Sequence, residues 1–211
     1  MKFFSTRNTS SSTTFKNVLL NGLAPDGGLY MPEIIPKMHI DFLKAHQHFE
    51  ELAVSVIHPY TKDQLSLSEL TAICEKAFNF PLNIKYLNEY DLVLELFHGP
   101  TLAFKDVGAK FMALCLDYFK DNNSSKKMTV LVATSGDTGG AVANGFLGTK
   151  DIDVCILYPK GKISEVQEIS KLSNKIYEGH PECSFKMLKN ETLKAKKKSV
   201  LGIFERLDLL K

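Results

Sequence analysis

The chain has 211 residues, of which 44% are hydrophobic and 24% are charged, and its formal net charge is +2. These values are ordinary for a globular protein of one or two domains with a buried core. No run of about 18 or more apolar residues occurs, so the sequence predicts no membrane-spanning helix and no membrane partner. The N-terminus lacks the apolar core of a secretory signal, which favours a cytoplasmic protein.

The charge is distributed unevenly along the chain. Residues 170–211 carry ten basic side chains against five acidic ones, whereas residues 1–169 carry 16 against 19. Such a shift indicates a boundary near residue 170. No aromatic residues interleave with the basic run at 194–198. We therefore interpret that run as a solvated surface and do not expect nucleic-acid binding.

Four cysteines stand alone, and none belongs to a C-x-x-C pair, so no zinc or other metal site is expected. Three of them, Cys74, Cys115 and Cys155, fall inside apolar runs and are predicted to be buried thiols. The fourth is Cys183. Unpaired cysteines favour a reducing compartment.

In chain order, a turn-rich segment of about forty residues containing Pro25-Asp-Gly comes first. Apolar residues at three- and four-residue spacing then predict helices over 42–57 and 67–78, the second with Ser66 or Ser68 as its cap. Residues 92–97 predict a buried strand, followed by a helix over 104–119, a strand at 129–133, a helix over 138–147 and a strand at 153–158. The alternation predicts an α/β fold with a parallel sheet covered on both faces.

Lys105 is the first candidate functional residue. It follows the run His98-Gly-Pro-Thr-Leu-Ala-Phe and lies in the first turn of the predicted helix 104–119. The positive end of the helix dipole disfavours an ammonium there and favours the neutral amine that attacks aldehydes, unless Asp106 turns towards it. We expect it at the carboxyl end of a strand, where ligands bind in α/β folds. The alternative is an ordinary solvated lysine at a helix end.

The second candidate is the loop Ala-Thr-Ser-Gly-Asp-Thr-Gly-Gly-Ala at 133–141. Hydroxyls and glycine N–H groups ahead of a helix bind anions such as phosphate or carboxylate. The spacing matches neither the dinucleotide fingerprint nor the P-loop. Asp137 would repel phosphate and suits a hydrogen bond from a substrate or cofactor hydroxyl. The alternative is a tight turn without a ligand, but the presence of Lys105 favours the ligand site.

Four segments resemble those of threonine synthases from bacteria and fungi, in the family's order. They are Ser-Thr-Arg-Asn at 5–8, Gly-Leu-Ala-Pro-Asp-Gly-Gly-Leu-Tyr at 22–30, Phe-His-Gly-Pro-Thr-Leu-Ala-Phe-Lys-Asp at 97–106 and Ala-Thr-Ser-Gly-Asp-Thr-Gly at 133–139. The likeness extends over residues 1–168. It implies the N-terminal part of a tryptophan-synthase-β-like fold (fold type II), an α/β fold with a parallel sheet.

The resemblance also implies a cofactor, a reaction and site residues. Pyridoxal 5'-phosphate would be held covalently by Lys105, the catalytic residue. The loop would supply cofactor-binding and substrate-binding contacts, from Ser135, Gly136, Asp137, Thr138 and Gly139. The family converts O-phospho-L-homoserine, a small-molecule substrate, and water to L-threonine and phosphate. Lys105 would move protons at the α and β carbons of the substrate.

The chain also departs from the family pattern. Family members are longer, and their glycine/asparagine loop for the cofactor phosphate has no counterpart here. After Glu168 the chain reads Ile-Ser-Lys-Leu-Ser-Asn at 169–174 in place of the family's Gln-Leu-Thr-Thr-Leu-Gly type. We therefore expect a truncated chain with three regions: an N-terminal segment and helical region (1–90), an α/β region with the lysine and substrate loop (91–168) and a divergent basic tail (170–211).

Three functional hypotheses follow from these observations. The chain is an active threonine synthase, another pyridoxal-phosphate-dependent lyase of the same fold acting on a different phosphorylated amino acid, or a catalytically inactive fragment. The sequence does not decide between a monomer and a homodimer.

Overall fold

The structure, a computed structural model, describes residues 1–38, 41, 48–120, 128–134, 137–149, 152–157 and 185–188, with the backbone only for 157 and 185–188. The helices in these ranges are α1 (Phe15–Asn21), α2 (Phe49–Thr61), α3 (Leu67–Ala77), α4 (Asp106–Phe119) and α5 (Asp137–Gly145). The strands are β1 (Phe3–Ser5), β2 (Ser12–Thr13), β3 (Tyr30–Pro32), β4 (Asn83–Tyr86), β5 (Leu92–Glu95), β6 (Met128–Ala133), β7 (Ile152–Leu157) and β8 (Phe185–Leu188). Within the same ranges, no helix has the length and apolar character needed to cross a membrane.

Strands β6, β7 and β8 form a parallel sheet in that order, with Val130 opposite Val154 and Val154 opposite Phe185. The connection from β6 to β7 passes through α5, as a parallel pair requires. The predicted strands 129–133 and 153–158 and the predicted helix 138–147 agree with β6, β7 and α5 to within two residues at each end. Strand β8, inside the expected basic tail, was not predicted.

The run 92–97 is not the buried strand of the parallel sheet that the sequence predicted. Its residues 92–95 form β5, which pairs antiparallel with β4 in a two-stranded hairpin, and the exposed side chains include Leu92, Val93 and Leu94. The hairpin closes through Asn88, whose Oδ1 accepts from the backbone N–H groups of Tyr90 and Asp91 at 2.8 and 2.9 Å. This local Asn turn favours a hairpin over a longer crossover.

Helix α4 is buried on two faces and joins the two hydrophobic clusters of the described chain. One face carries Ala109, Ala113 and Leu116, which pack with small residues of α5 and with β7. The opposite face carries Cys115 and Phe119, which pack with α2 and α3. Tyr118, predicted on the apolar face, is instead partly exposed. The helix therefore holds the parallel sheet and the helical region together.

Helix α3 begins where the sequence predicted, with Ser66 rather than Ser68 as its cap. Ser66 Oγ accepts from the N–H of Glu69 at 3.3 Å, and Glu69 Oε2 accepts from the N–H of Ser66 at 2.8 Å, which is a capping box. The predicted helix 42–57 overlaps α2, and its residues 42–47 lie outside the described residues. Helix α4 starts two residues later than predicted, at Asp106.

The predicted Pro-Asp-Gly turn is present beside the antiparallel sheet β2-β1-β3. Asp26 Oδ1 accepts from Ser5 Oγ at 2.7 Å and from the N–H of Gly28 at 2.8 Å, and these hydrogen bonds lower the pKa of Asp26. Gly27 has a φ of +75°, a conformation that favours glycine.

Cys74, Cys115 and Cys155 are buried, as predicted, and Cys183 lies outside the described residues. Burial raises the pKa of Cys74 to about 11 and the pKa of Cys115 to about 12. Both thiols therefore stay protonated and unreactive near neutral pH.

Two glycines of α5 make a matched pair for a stability test. A Cβ on Gly140 would meet nothing within 4 Å, whereas a Cβ on Gly145 would lie 2.9 Å from the backbone oxygen of Ala109 in α4. Gly140→Ala should raise the free energy of unfolding by about 1 kcal/mol through helix propensity. Gly145→Ala should lower it by about 1–3 kcal/mol through overpacking. Denaturant unfolding measures both, and equal effects would contradict the close α4–α5 contact.

A second prediction concerns acid stability. Tyr118 Oη donates to Glu69 Oε1 at 2.5 Å, and this bond, followed by those from Ser66, lowers the pKa of Glu69 from its usual 4.5. A depressed carboxyl pKa adds stability above the unfolded pKa, and that stability is lost as the pH falls through the folded pKa. Tyr118→Phe should therefore lower Tm at neutral pH and by much less at about pH 3. A Tm difference independent of pH would refute the assignment.

Candidate functional site

Lys105 lies at the N-cap position of α4, where its backbone oxygen accepts from the N–H of Ala109 at 2.9 Å. Its side chain is half-buried, and Nζ stands 4.3 Å from the ring centroid of Phe104. A lysine ammonium group over an aromatic face is attracted by the ring quadrupole. The side chain of Lys105 therefore lies over the Phe104 ring at the start of α4.

The expected placement of Lys105 at the carboxyl end of a strand of the parallel sheet is wrong. The strand that precedes it, β5, ends at Glu95 and belongs to the hairpin. The reason is the Asn88 turn, which pairs β5 with β4 before the chain reaches α4. What remains of the prediction is the helix N-terminus.

Asp106, next to the lysine, turns away from solvent and is only 2% exposed. Its Oδ2 accepts from the N–H of Thr101 at 2.8 Å, and its Oδ1 accepts from Thr101 Oγ1 at 2.6 Å. The sequence left open whether this carboxylate faces the amine. Both of its oxygens are engaged by Thr101.

A cleft of about 640 Å³ opens beside Lys105. One face of α4 forms one wall, since Lys105, Gly108, Ala109 and Met112 recur at helical spacing. The remaining lining residues come from the end of the segment before α4, from the first turn of α4, from the first two turns of α5, from α2 and from the hairpin region: Phe104, Val107, Thr138, Val142, Phe49, Leu82, Leu94 and Leu96. Among these described lining residues, Lys105 is the only one with a charge.

The cleft brings together two of the predicted site residues, Lys105 and Thr138, from different helices. Asp137 is exposed and Gly139 is buried, both in the first turn of α5, and neither lines the cleft. Ser135 and Gly136 lie outside the described residues. The N-termini of α4 and α5 thus meet at one opening.

Sequence reasoning missed most of the apolar walls of the cleft. The positions Gly108, Ala109 and Met112 were open to prediction, because they follow Lys105 at i+3, i+4 and i+7. The contribution of Leu82 and Leu94 was not, because it depends on the hairpin.

A polar cluster ties the lead-in of Lys105 to that hairpin. His98 Nε2 lies 2.8 Å from Glu95 Oε2 and 3.2 Å from Asn83 Nδ2. Residue 83 begins β4 and residue 95 ends β5, so His98 is fixed at the open end of the hairpin. The segment leading to the lysine therefore starts from an anchored position.

Comparisons with known proteins agree with the motifs. Residues 2–78 match the family model for the threonine synthase N terminus. The threonine synthase of Haemophilus influenzae is 40% identical over 168 residues, which are 80% of this chain and 39% of that protein. The chain belongs to the threonine synthase family. The Schizosaccharomyces pombe threonine synthase is 38% identical over 183 residues, 80% of this chain and 36% of that protein.

Solved threonine synthases also share the fold. The Escherichia coli enzyme has a TM-score of 0.77 at 32% identity, covering 89% of this chain and 42% of that chain. The Brucella melitensis enzyme, solved with bound PLP, has a TM-score of 0.74 at 36% identity, covering 81% and 38%. The predicted fold class, an α/β parallel-sheet fold of the tryptophan-synthase-β type in its N-terminal part, is confirmed.

The chain spans about two fifths of the length of the threonine synthases that it matches. The structural likeness to the Escherichia coli enzyme covers more of this chain than the sequence likeness to the curated relatives does, 89% against 80%.

Proposed function

We propose that this chain carries the lysine-bearing part of a threonine synthase site and binds pyridoxal 5'-phosphate covalently through Lys105. The observation that carries the proposal is the lysine at a helix N-terminus inside an apolar cleft, in a chain of this family. The reaction proposed is that of the family, O-phospho-L-homoserine and water to L-threonine and phosphate. The assignment of the catalytic role to Lys105 rests on the motif together with this geometry.

The residues of the cleft fit the aldehyde and the ring of the cofactor. Lys105 supplies an amine of the kind that attacks an aldehyde, and the apolar walls of the cleft offer faces for a flat ring. Once bound, pyridoxal phosphate would supply an electron sink for the substrate carbon atoms. Its phosphate needs further donors, since Lys105 is the only charged residue among the described lining residues.

The other proposed contacts come from the loop before and at the start of α5. Thr138 can donate from its hydroxyl into the cleft that it lines. Ser135, Gly136 and Gly139 are proposed as cofactor-binding residues because they flank Thr138 in a loop whose type binds anions ahead of a helix. Asp137 is proposed to accept a hydrogen bond from a hydroxyl of the substrate or cofactor. The amine of Lys105 is proposed to move protons at the α and β carbons of the substrate.

The chain spans about two fifths of the length of the threonine synthases that it matches, and this partial length favours a second function. On that hypothesis the chain captures the cofactor at Lys105 but does not turn over phosphohomoserine by itself. A third hypothesis, a related lyase with another phosphorylated amino acid, differs only in substrate. We propose that the chain has three regions. Region 1–90 would support the site, region 91–168 would carry it, and region 170–211 would be the tail. A monomer and a homodimer remain alternatives.

We also propose a cytoplasmic location. The support is the set of buried thiols at Cys74, Cys115 and Cys155, which is typical of proteins in reducing compartments.

Absorbance and borohydride trapping test covalent cofactor binding. Purified protein with pyridoxal phosphate should gain a visible absorbance band, and borohydride should fix the cofactor on Lys105. Lys105→Ala should abolish both. Lys76→Ala is the control, because Lys76 is exposed on α3 and does not line the cleft. Equal trapping in Lys105→Ala would refute the lysine assignment.

Phosphate release from O-phospho-L-homoserine then separates the hypotheses. Release that requires Lys105 supports an active synthase. Trapping without release supports the chain that only captures the cofactor, and release from another phosphorylated amino acid supports the related lyase.

Filling the cleft from Gly108 should block the lysine without unfolding the chain. A Cβ on Gly108 would meet nothing within 4 Å, and the residue lines the cleft. Gly108→Leu should keep or raise Tm, because leucine favours helix, and should lower trapping at Lys105 at least about tenfold through steric exclusion. Gly108→Ala, the small control, should trap normally. Full trapping in Gly108→Leu would show that the cofactor reaches Lys105 by another route.

A further inference from the structure

The buried carboxylate of Asp106 has no part in the proposed chemistry, although it is adjacent to Lys105. A carboxylate at the first position of a helix ordinarily faces water or the helix N–H groups. Asp106 is instead 2% exposed and turns back five residues to Thr101. Burying a carboxylate is costly unless it is well hydrogen-bonded, so this arrangement requires compensation.

Thr101 supplies that compensation through two short hydrogen bonds to the two carboxylate oxygens, of 2.8 Å from its N–H and 2.6 Å from its hydroxyl. Charge-assisted bonds of this kind are stronger than neutral ones. Lys110, one turn along α4, adds an attractive charge, since Asp106 counters the lowering of the Lys110 pKa that desolvation causes. We call the two hydrogen bonds from Thr101 to the Asp106 carboxylate the Asp106 fork. This fork is thus stabilised by both a hydroxyl and a cation.

Gly99 leaves the space in which this fork sits. A Cβ there would lie 2.5 Å from Asp106 Oδ2 and 2.8 Å from Asp106 Cβ. Any other residue would push the carboxylate off Thr101. Gly99, Thr101 and Asp106 therefore form one packed unit around the turn that leads to the lysine.

The turn itself is strained. Leu102 has a φ of +59°, which a leucine rarely adopts, and its side chain is exposed, so its own packing does not hold it there. The N–H of Leu102 donates to the backbone oxygen of Gly99 at 3.1 Å and closes the turn. This hydrogen bond lies next to Thr101, the residue that is hydrogen-bonded to Asp106. Strain of this kind persists only where the surroundings enforce it.

We infer that Asp106 is a positioning residue for Lys105: by gripping Thr101 in the space left by Gly99, it holds the strained turn closed and directs the amine into the cleft. Three residues separate the turn from the helix start, and the N–H of Asp106 donates to the oxygen of Ala103 at 3.0 Å. A movement of Thr101 is therefore passed to the backbone of Lys105. The inference rests on the proposed function for the identity of the ligand.

The test compares variants of the purified chain by trapping with two aldehydes. Asp106→Asn, Thr101→Val and Gly99→Ala disturb the same unit from three sides, and Thr101→Ser is the conservative control that keeps the hydroxyl. Pyridoxal phosphate with borohydride measures entry of the amine into the cleft. Formaldehyde with borohydride, a small reagent, measures exposure of the amine. Peptide mass spectrometry gives the label on Lys105 relative to the exposed Lys62.

The three disruptive variants should lower relative trapping of pyridoxal phosphate on Lys105 about tenfold, the scale of a lost hydrogen bond to a charged group. They should raise relative formaldehyde labelling, because a released amine leaves the half-buried position that it now has. Thr101→Ser should match the parent with both reagents. Parental labelling with both reagents in Asp106→Asn would overturn the inference.

A double variant separates positioning from stability. Leu102→Gly relieves the strain of the turn. Adding it to Asp106→Asn should therefore recover the Tm that Asp106→Asn loses, but should not recover trapping on Lys105. Recovery of both would show that Asp106 only stabilises the fold and would overturn the inference. If the parent chain takes no pyridoxal phosphate on Lys105, the proposed function fails. The formaldehyde result then decides the inference alone: raised labelling in the three variants supports it, and unchanged labelling overturns it.

Discussion

Burial of α4 on two faces is the constraint on which the rest of the described structure depends. Its alanine face fits against α5 and the parallel sheet, and its Cys115 and Phe119 face fits against α2 and α3. Because both clusters share this helix, neither can shift without moving the residue at its start, Lys105. The position of the lysine is therefore fixed by two cores and by the Asp106 fork.

The βαβ unit formed by β6, α5 and β7 was predictable because each of its signals is local. Continuous β-branched strands and a glycine-rich helix start fixed type and bounds to within two residues. Ser66, a typical capping residue, predicted the start of α3 in the same way. Lys105 and the loop at 133–141 were identified as candidates by their sequence motifs. The structure brings Lys105 and Thr138 to one cleft, and their role as site residues stays a prediction.

The remaining features depend on contacts between distant residues, which periodicity does not report. The run 92–97 is apolar enough for a buried strand, but pairing with β4 decides its place. The exposure of Tyr118 depends on its bond to Glu69 in another helix. The Asp106 side chain can turn towards Thr101 because Gly99 has no Cβ that would occupy the same space. A sequence pattern does not show this close approach. Strand β8 is recognisable only through its register with β7.

The contact between Gly145 and Ala109 acts as a fulcrum. Seven residues separate Gly145 from Thr138, so α5 is a lever of about 10 Å between the pivot and the cleft. A tilt of about 5° at the pivot would carry the Thr138 hydroxyl about 1 Å relative to Lys105, a displacement that can cost about a hundredfold in rate when two groups must act together. Position 145, which is not among the residues that line the cleft, therefore governs the alignment of the two helix ends that frame it.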